Sequence, residues 1–227
     1  MDLKGSIKAQ IFLPTRLYHG TSLRVTKKEL AYYKTKLLNG DYWQYGKDFG
    51  LGFYTTHLIE QAKTWAVKSV QRQINKEGID ITEFIACVMV IKIIDENLKD
   101  PTVLHFTDAS ERWAKFIYMH RLQTENTEEP CNVHPDIVIG YMADNNTGGL
   151  ISRCLIEEDY TFQNFFHDIQ VTESGDCLTM DRLGNQYAFC SETLNDSVVL
   201  EGCYLREKGE WNYYEIDAPY LSAIKLL

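Results

Sequence analysis

This 227-residue chain contains no apolar run approaching the roughly eighteen residues of a membrane-spanning helix. Its first residues, Met-Asp-Leu-Lys-Gly-Ser-Ile-Lys, lack the long apolar core of a secretory leader. A cytoplasmic location with no membrane partner is the expectation. Cys-x-x-Cys pairs are also missing: Cys87, Cys131, Cys154, Cys177, Cys190 and Cys203 follow one another at intervals of 44, 23, 23, 13 and 13. That pattern excludes a recognisable structural zinc signature, and in a reducing compartment isolated cysteines serve as small core hydrophobes. His105, His120, His134 and His167 likewise lack metal-ligand spacing, so no metal is expected. Positive charge is in deficit overall. A net charge of −9 argues against broad, sequence-independent nucleic-acid binding, which needs concentrated Lys and Arg against phosphates, and leaves room only for a local basic patch. Internal repeats and low-complexity stretches are absent as well.

What is present is an ordinary globular composition, 44% apolar and 24% charged, in a chain long enough to bury a substantial core. The charge is unevenly spread. Lys27, Lys28, Lys34, Lys36 and the segment 63–76 with Arg72 make the N-terminal third basic, whereas acid accumulates in the C-terminal half. Periodicity predicts a strand over 11–19, a helix over 27–38 stopped by Asn39-Gly40, and a strand over 53–56. A second helix follows over 58–74, with Ala62, Trp65, Ala66, Ser69, Val70 and Ile74 at helical spacing. The apolar run 84–94 reads as a long central strand, and 110–122 as a helix capped by Ser110. Trp65 and Trp113 stand on apolar helix faces and read as core. Beyond them mostly short strands are expected: 136–140, a break at Gly148-Gly149, 186–190, and a hairpin of 198–206 with 211–216.

Two short stretches carry the chemistry. Leu17 to Thr21 ends an apolar run on His19-Gly20, a polar ring next to a residue whose backbone a ligand can approach closely. Phe49 to Thr56 sets Gly50 and Gly52 around a turn into Phe53-Tyr54-Thr55-Thr56. Breaking the glycosidic bond of a nicotinamide dinucleotide requires a held carboxamide, a held ribose and a stacked ring. A His, a bare Gly peptide and a Tyr face offer these three interactions. Each has a plainer reading too: His19 as a turn residue, Tyr54 as a strand aromatic, Gln186 as a polar residue of an edge strand. Tyr42, Trp43 and Tyr45 beside Lys47 either pack or stack a base.

Linked together, these stretches resemble the ADP-ribosyltransferase superfamily in its His-Tyr-Glu branch. They are most similar to a group of small bacterial proteins, the DUF3990 family, through Tyr18 to Ser22, Asp48 to Thr56, and Gln61-Ala62-Lys63-Thr64-Trp65-Ala66. Segments Arg112 to Ile117 and Asp136 to Gly140 extend the likeness over roughly 15–194. The resemblance implies an α+β fold, a split β-sandwich of two small, mostly antiparallel sheets with flanking helices. It implies a catalytic domain over 1–194, with 195–227 added as a β-hairpin extension. NAD+ is the implied co-substrate, with His19, Gly20, Thr21, Gly52, Phe53 and Tyr54 around it and His19, Tyr54 and Gln186 as the catalytic set. Gln186 stands where better-known transferases place a glutamate, and an amide takes no proton near neutral pH. Glu192 and Asp144 are the alternative bases. The implied activity is mono-ADP-ribosyl transfer to a nucleic-acid acceptor, or next a protein, by a toxin of a toxin-antitoxin or phage-defence system that has an antitoxin partner. An NAD+ glycohydrolase and a catalytically silent nucleotide-binding module are the competing expectations.

Overall fold

The computed structural model describes residues 13–25, 27–77, 83–143, 147–171, 184–223 and 226. Fourteen main elements follow in chain order. They are β1 (Arg16–Arg24), α1 (Glu29–Thr35), β2 (Phe53–Thr56), α2 (Ile59–Glu77), β3 (Phe84–Ile93), β4 (Val103–His105), α3 (Glu111–Arg121), β5 (Ile137–Tyr141), α4 (Thr147–Ile156), α5 (Phe162–Asp168), β6 (Asn185–Phe189), β7 (Val198–Glu207), β8 (Glu210–Glu215) and α6 (Pro219–Ala223). No helix among the described residues is long and apolar enough to cross a membrane.

The fold is mixed α+β, but the expectation of two sheets is corrected to one. Eight strands run in the order β4-β5-β6-β2-β1-β3-β7-β8, antiparallel throughout the registered pairs except for parallel β4 and β5. Continuity between β1 and β2 rests on a single registered pair, Tyr18 with Thr56, whereas β1 and β3 pair at every residue from Arg16 to Arg24.

The chain divides into two compact units. The first takes Gly40–Phe53 and Pro101–Ser191; the second takes Phe12–Asn39, Tyr54–Asp100 and Glu192–Leu227. In the second unit β3 is the central strand, buried from Ala86 to Ile91, because its unbroken Val/Ile/Met run suits a strand covered on both faces. Tyr18 and the small residues Ala62 and Ala66 of α2 share one apolar cluster with Ala86 and Val88. The 198–216 hairpin forms as expected, with Lys208 (φ 51°) and Gly209 (φ 93°) supplying the two left-handed positions of its tight turn. In the first unit Phe49, Phe106 and Phe116 pack ring to ring, and Trp113 is fully buried with its indole N–H donating to the Tyr141 carbonyl at 3.1 Å.

Several boundaries move. The first strand is Arg16–Arg24 rather than 11–19, since its length is set by the ladder with β3; positions 11 and 12 lie outside the described residues. Helix α1 ends at Thr35, three residues early, because Asn195 clamps both backbone groups of Leu38 at 2.8 and 2.6 Å and so holds the chain out of helical register. Gly148-Gly149 does not break the chain; it lies in the first turn of α4. Helices α4, α5 and α6 replace part of what reads as short strands, and the short strand β4 is an addition. Ser110 occupies the N-cap of α3 without a side-chain hydrogen bond. Trp65 is only half-buried, with Lys68 and Arg72 over its ring at 5.5 and 5.1 Å, because it lies at the rim of the apolar face of α2.

Candidate functional site

Beyond the Tyr18–Thr56 pair the two motif strands are connected by a side chain. The imidazole Nδ1 of His19 lies 2.6 Å from the backbone carbonyl oxygen of Tyr54. A carbonyl only accepts, so Nδ1 carries the hydrogen. The two halves of the split motif are thereby joined, and the ring of His19 is oriented.

Strand alternation separates His19 from its neighbour. Tyr18 packs on the Ala62/Ala66 cluster, and the Ser22 hydroxyl lies 2.9 Å from that of Ser69, so even-numbered positions of β1 face α2. Gly20 faces it too. A Cβ there would stand 2.0 Å from the Ala62 carbonyl oxygen, so glycine is required for α2 to lie this close. His19 and Thr21 project from the opposite face. The Gln61 to Ala66 motif then has a structural account. Thr56 Oγ1 accepts the Leu58 N–H at 3.1 Å and donates to Gln61 at 2.5 Å, starting α2, while Ala62 meets Gly20.

In the first unit the Asp48 to Phe53 motif is chiefly a packing device. Asp48 is 6% exposed, and its Oδ1 takes two donors of Arg121 at 2.6 and 2.7 Å, while Arg121 also bonds the Gly46 carbonyl at 2.8 Å. Phe49 is fully buried. Gly50 has φ +79°, and a Cβ at Gly52 would meet the Phe189 carbonyl at 2.9 Å. Phe53 is buried. Gln186, on β6 opposite Gly140, is 4% exposed and its amide donates to the other oxygen of Asp48 at 3.1 Å. Asp48 and Arg121, both outside the expected site, therefore govern what Gln186 does. Their pairing spans 73 residues, so no local spacing marks it.

The alternative bases fare differently. Glu192 is exposed and ion-paired with Lys36 at 2.6 Å in the second unit; Asp144 lies outside the described residues. Burial pushes the Cys190 thiol well up, which keeps it protonated. Tyr42 and Tyr45 are exposed, at 53% and 43%, and Trp43 is half-buried.

The second unit also carries a groove of about 390 Å³ between α2 and the hairpin, lined by Lys63, Lys68 and Arg206 around Trp211 and by Glu60, which pairs with Lys63 at 2.7 Å, so cations are in excess.

A family model described as "Protein of unknown function (DUF3990)" matches residues 15–198. Comparison with the curated proteins and with the solved structures returns no match.

Proposed function

We propose that this chain, which belongs to the DUF3990 family, is a mono-ADP-ribosyltransferase that cleaves NAD+ and passes ADP-ribose to a nucleic-acid acceptor. The observation that carries this reading is the 2.6 Å contact between His19 Nδ1 and the Tyr54 carbonyl, which brings the two motif halves to one place.

The glycosidic bond between ribose C1′ and the nicotinamide nitrogen breaks with both electrons leaving on nicotinamide. The oxocarbenium ion is then captured by an acceptor nucleophile, which loses its proton. His19 hydrogen-bonds a ribose hydroxyl, the Gly20 peptide pairs with the carboxamide, Thr21 projects on the same face as His19, and Tyr54 stacks on the ring. Gln186 supplies no base, since its amide is neutral and already donates to Asp48. The acceptor must therefore deprotonate without it. The groove of Lys63, Lys68 and Arg206 supports a polyanionic acceptor over a protein. In cells this activity makes the chain a toxin, held in check by an antitoxin.

The Gln186–Asp48 bond also favours one second reading, a catalytically silent nucleotide-binding module. One experiment separates them. Labelled NAD+ is incubated with cell extract and the wild-type, His19→Ala or Tyr54→Ala chain, and the product is treated with nuclease or protease. The expected result is nuclease-sensitive label that falls at least about a hundredfold in both variants. Binding of NAD+ without nicotinamide release, or equal turnover in the variants, overturns the enzyme reading.

A further inference from the structure

The end of α3 and the loop that follows it gather three ligand-type side chains from one short segment. His120 is fully buried, and its Nδ1 lies 2.7 Å from the Phe116 carbonyl one turn earlier in the helix. Nδ1 is therefore the protonated nitrogen, and Nε2 points its lone pair outward. That lone pair faces Glu129 Oε1 at 3.2 Å and Cys131 Sγ at 3.7 Å, and the three ligand atoms all lie within 4.8 Å of one another. Two lone pairs held this close repel unless a proton or a metal ion lies between them.

We propose that His120 Nε2, the Glu129 carboxylate and the Cys131 thiolate bind one divalent transition metal of the zinc class.

The distances support it. A tetrahedral zinc, with nitrogen and oxygen at about 2.0–2.1 Å and sulfur at about 2.3 Å, sets its N and O ligands about 3.4 Å apart and its N and S ligands about 3.6 Å apart. The measured values are 3.2 and 3.7 Å. The mixed N, O and S donor set suits a borderline-soft ion rather than magnesium or calcium. Its surroundings are organised as metal sites usually are. The Nδ1–H of His120 is anchored on a backbone carbonyl, its ring stacks on Phe116 at 4.0 Å, and Glu129 Oε2 accepts the Gln123 amide at 3.0 Å. The Cys131 N–H donates to Glu129 Oε1 at 3.3 Å. Gln123 Oε1 is buried beside this carboxylate and has no partner among the described residues. On the far side of the ring, Gly50 leaves no room for a side chain: a Cβ there would stand 2.9 Å from His120 and from His134. Three protein ligands leave the fourth tetrahedral position open. Binding displaces the Cys131 thiol proton, so metal uptake releases one proton per site. The ion ties the helix end to the 124–131 loop, of which residues 124–129 are exposed.

The test uses the full chain, stripped with chelator and dialysed. Zinc is measured by elemental analysis, and cobalt(II) is titrated in as a spectroscopic substitute. Wild type is expected to bind one metal per chain and to show the near-ultraviolet thiolate-to-cobalt band. Cys131→Ser is expected to lose the band, and Glu129→Gln to bind at least about tenfold more weakly. Those two variants carry the test because His120 is buried and its replacement endangers folding. Wild type that takes up no metal, or Cys131→Ser that keeps wild-type affinity, overturns the site. A His120 proton shared with Glu129 is then what holds the two together. Neither result bears on NAD+ cleavage.

Discussion

The Gln186 side-chain amide donates to Asp48 at 3.1 Å, and Asp48 is itself held by Arg121 at 2.6 Å. This buried chain explains why an amide occupies the position, because a carboxylate there would face the Asp48 carboxylate. Gln186→Glu is therefore expected to cost about 1–3 kcal/mol at neutral pH by replacing a donor with a like charge. Burial beside a like charge raises the folded-state pKa of the introduced carboxyl, so stability recovers as pH falls and that carboxyl takes up a proton. Urea denaturation at two pH values checks it. A variant of wild-type stability at pH 7 contradicts the account.

Gly20→Ala tests whether the glycine serves packing as well as any ligand. The new methyl meets the backbone of Ala62 rather than a side chain, so α2 must shift, at a cost of about 1–3 kcal/mol or more. Trimming Ala62 to glycine does not relieve it. The measured stabilities of Gly20→Ala and of the double variant decide the matter, and rescue by Ala62→Gly counts against it.

The cationic groove predicts a salt response. Affinity for a single-stranded oligonucleotide should fall log-linearly with salt, and Lys63→Ala and Lys68→Ala should each reduce the slope by about 0.7. Unchanged slopes in both variants point instead to a protein acceptor.

Glu201 is the extra residue of a bulge in β7, where the register slips between Val90 and Ile91. The bulge lets it meet Arg16 with two bonds of 2.6 and 2.9 Å. The hydrogen bonds and charge of Arg16 hold the Glu201 carboxyl below its ordinary value of 4.5, against a smaller opposing effect of burial. A carboxyl depressed in the folded state contributes stability that is present above 4.5 and is lost as pH falls through the folded value. Glu201→Gln should therefore be less stable than wild type near neutrality, with the gap closing as pH falls through and below 4.5. A gap independent of pH excludes this role.

Elements whose pattern repeats within one helix turn or one pleat were legible from residues alone. The apolar run of β3, the Trp113 face of α3 and the hairpin all lie within a residue of expectation, and the helix of the spaced Ala and Val residues, α2, within three. Helix α5 carried a readable signal that periodicity missed: Thr161 and Asn164 form a reciprocal cap at its start. Gly148-Gly149 misled because glycine's low helix propensity is outweighed in the first turn of α4 by the apolar face that follows.

The sequence by itself determined the family, the main elements as far as α3 together with the C-terminal hairpin, and the stretches in which unusual residues cluster, since each depends on neighbours a few positions apart. Tertiary structure alone decided which of those residues meet. The bond from His19 to Tyr54 closes 35 positions, Arg121 reaches Asp48 across 73, and Gln186 reaches it across 138. The spacing of His120, Glu129 and Cys131 gives no hint of their convergence until the helix end turns the imidazole toward the loop. Local periodicity records which face a residue takes; which groups share a buried space is set by how the chain closes on itself over those distances.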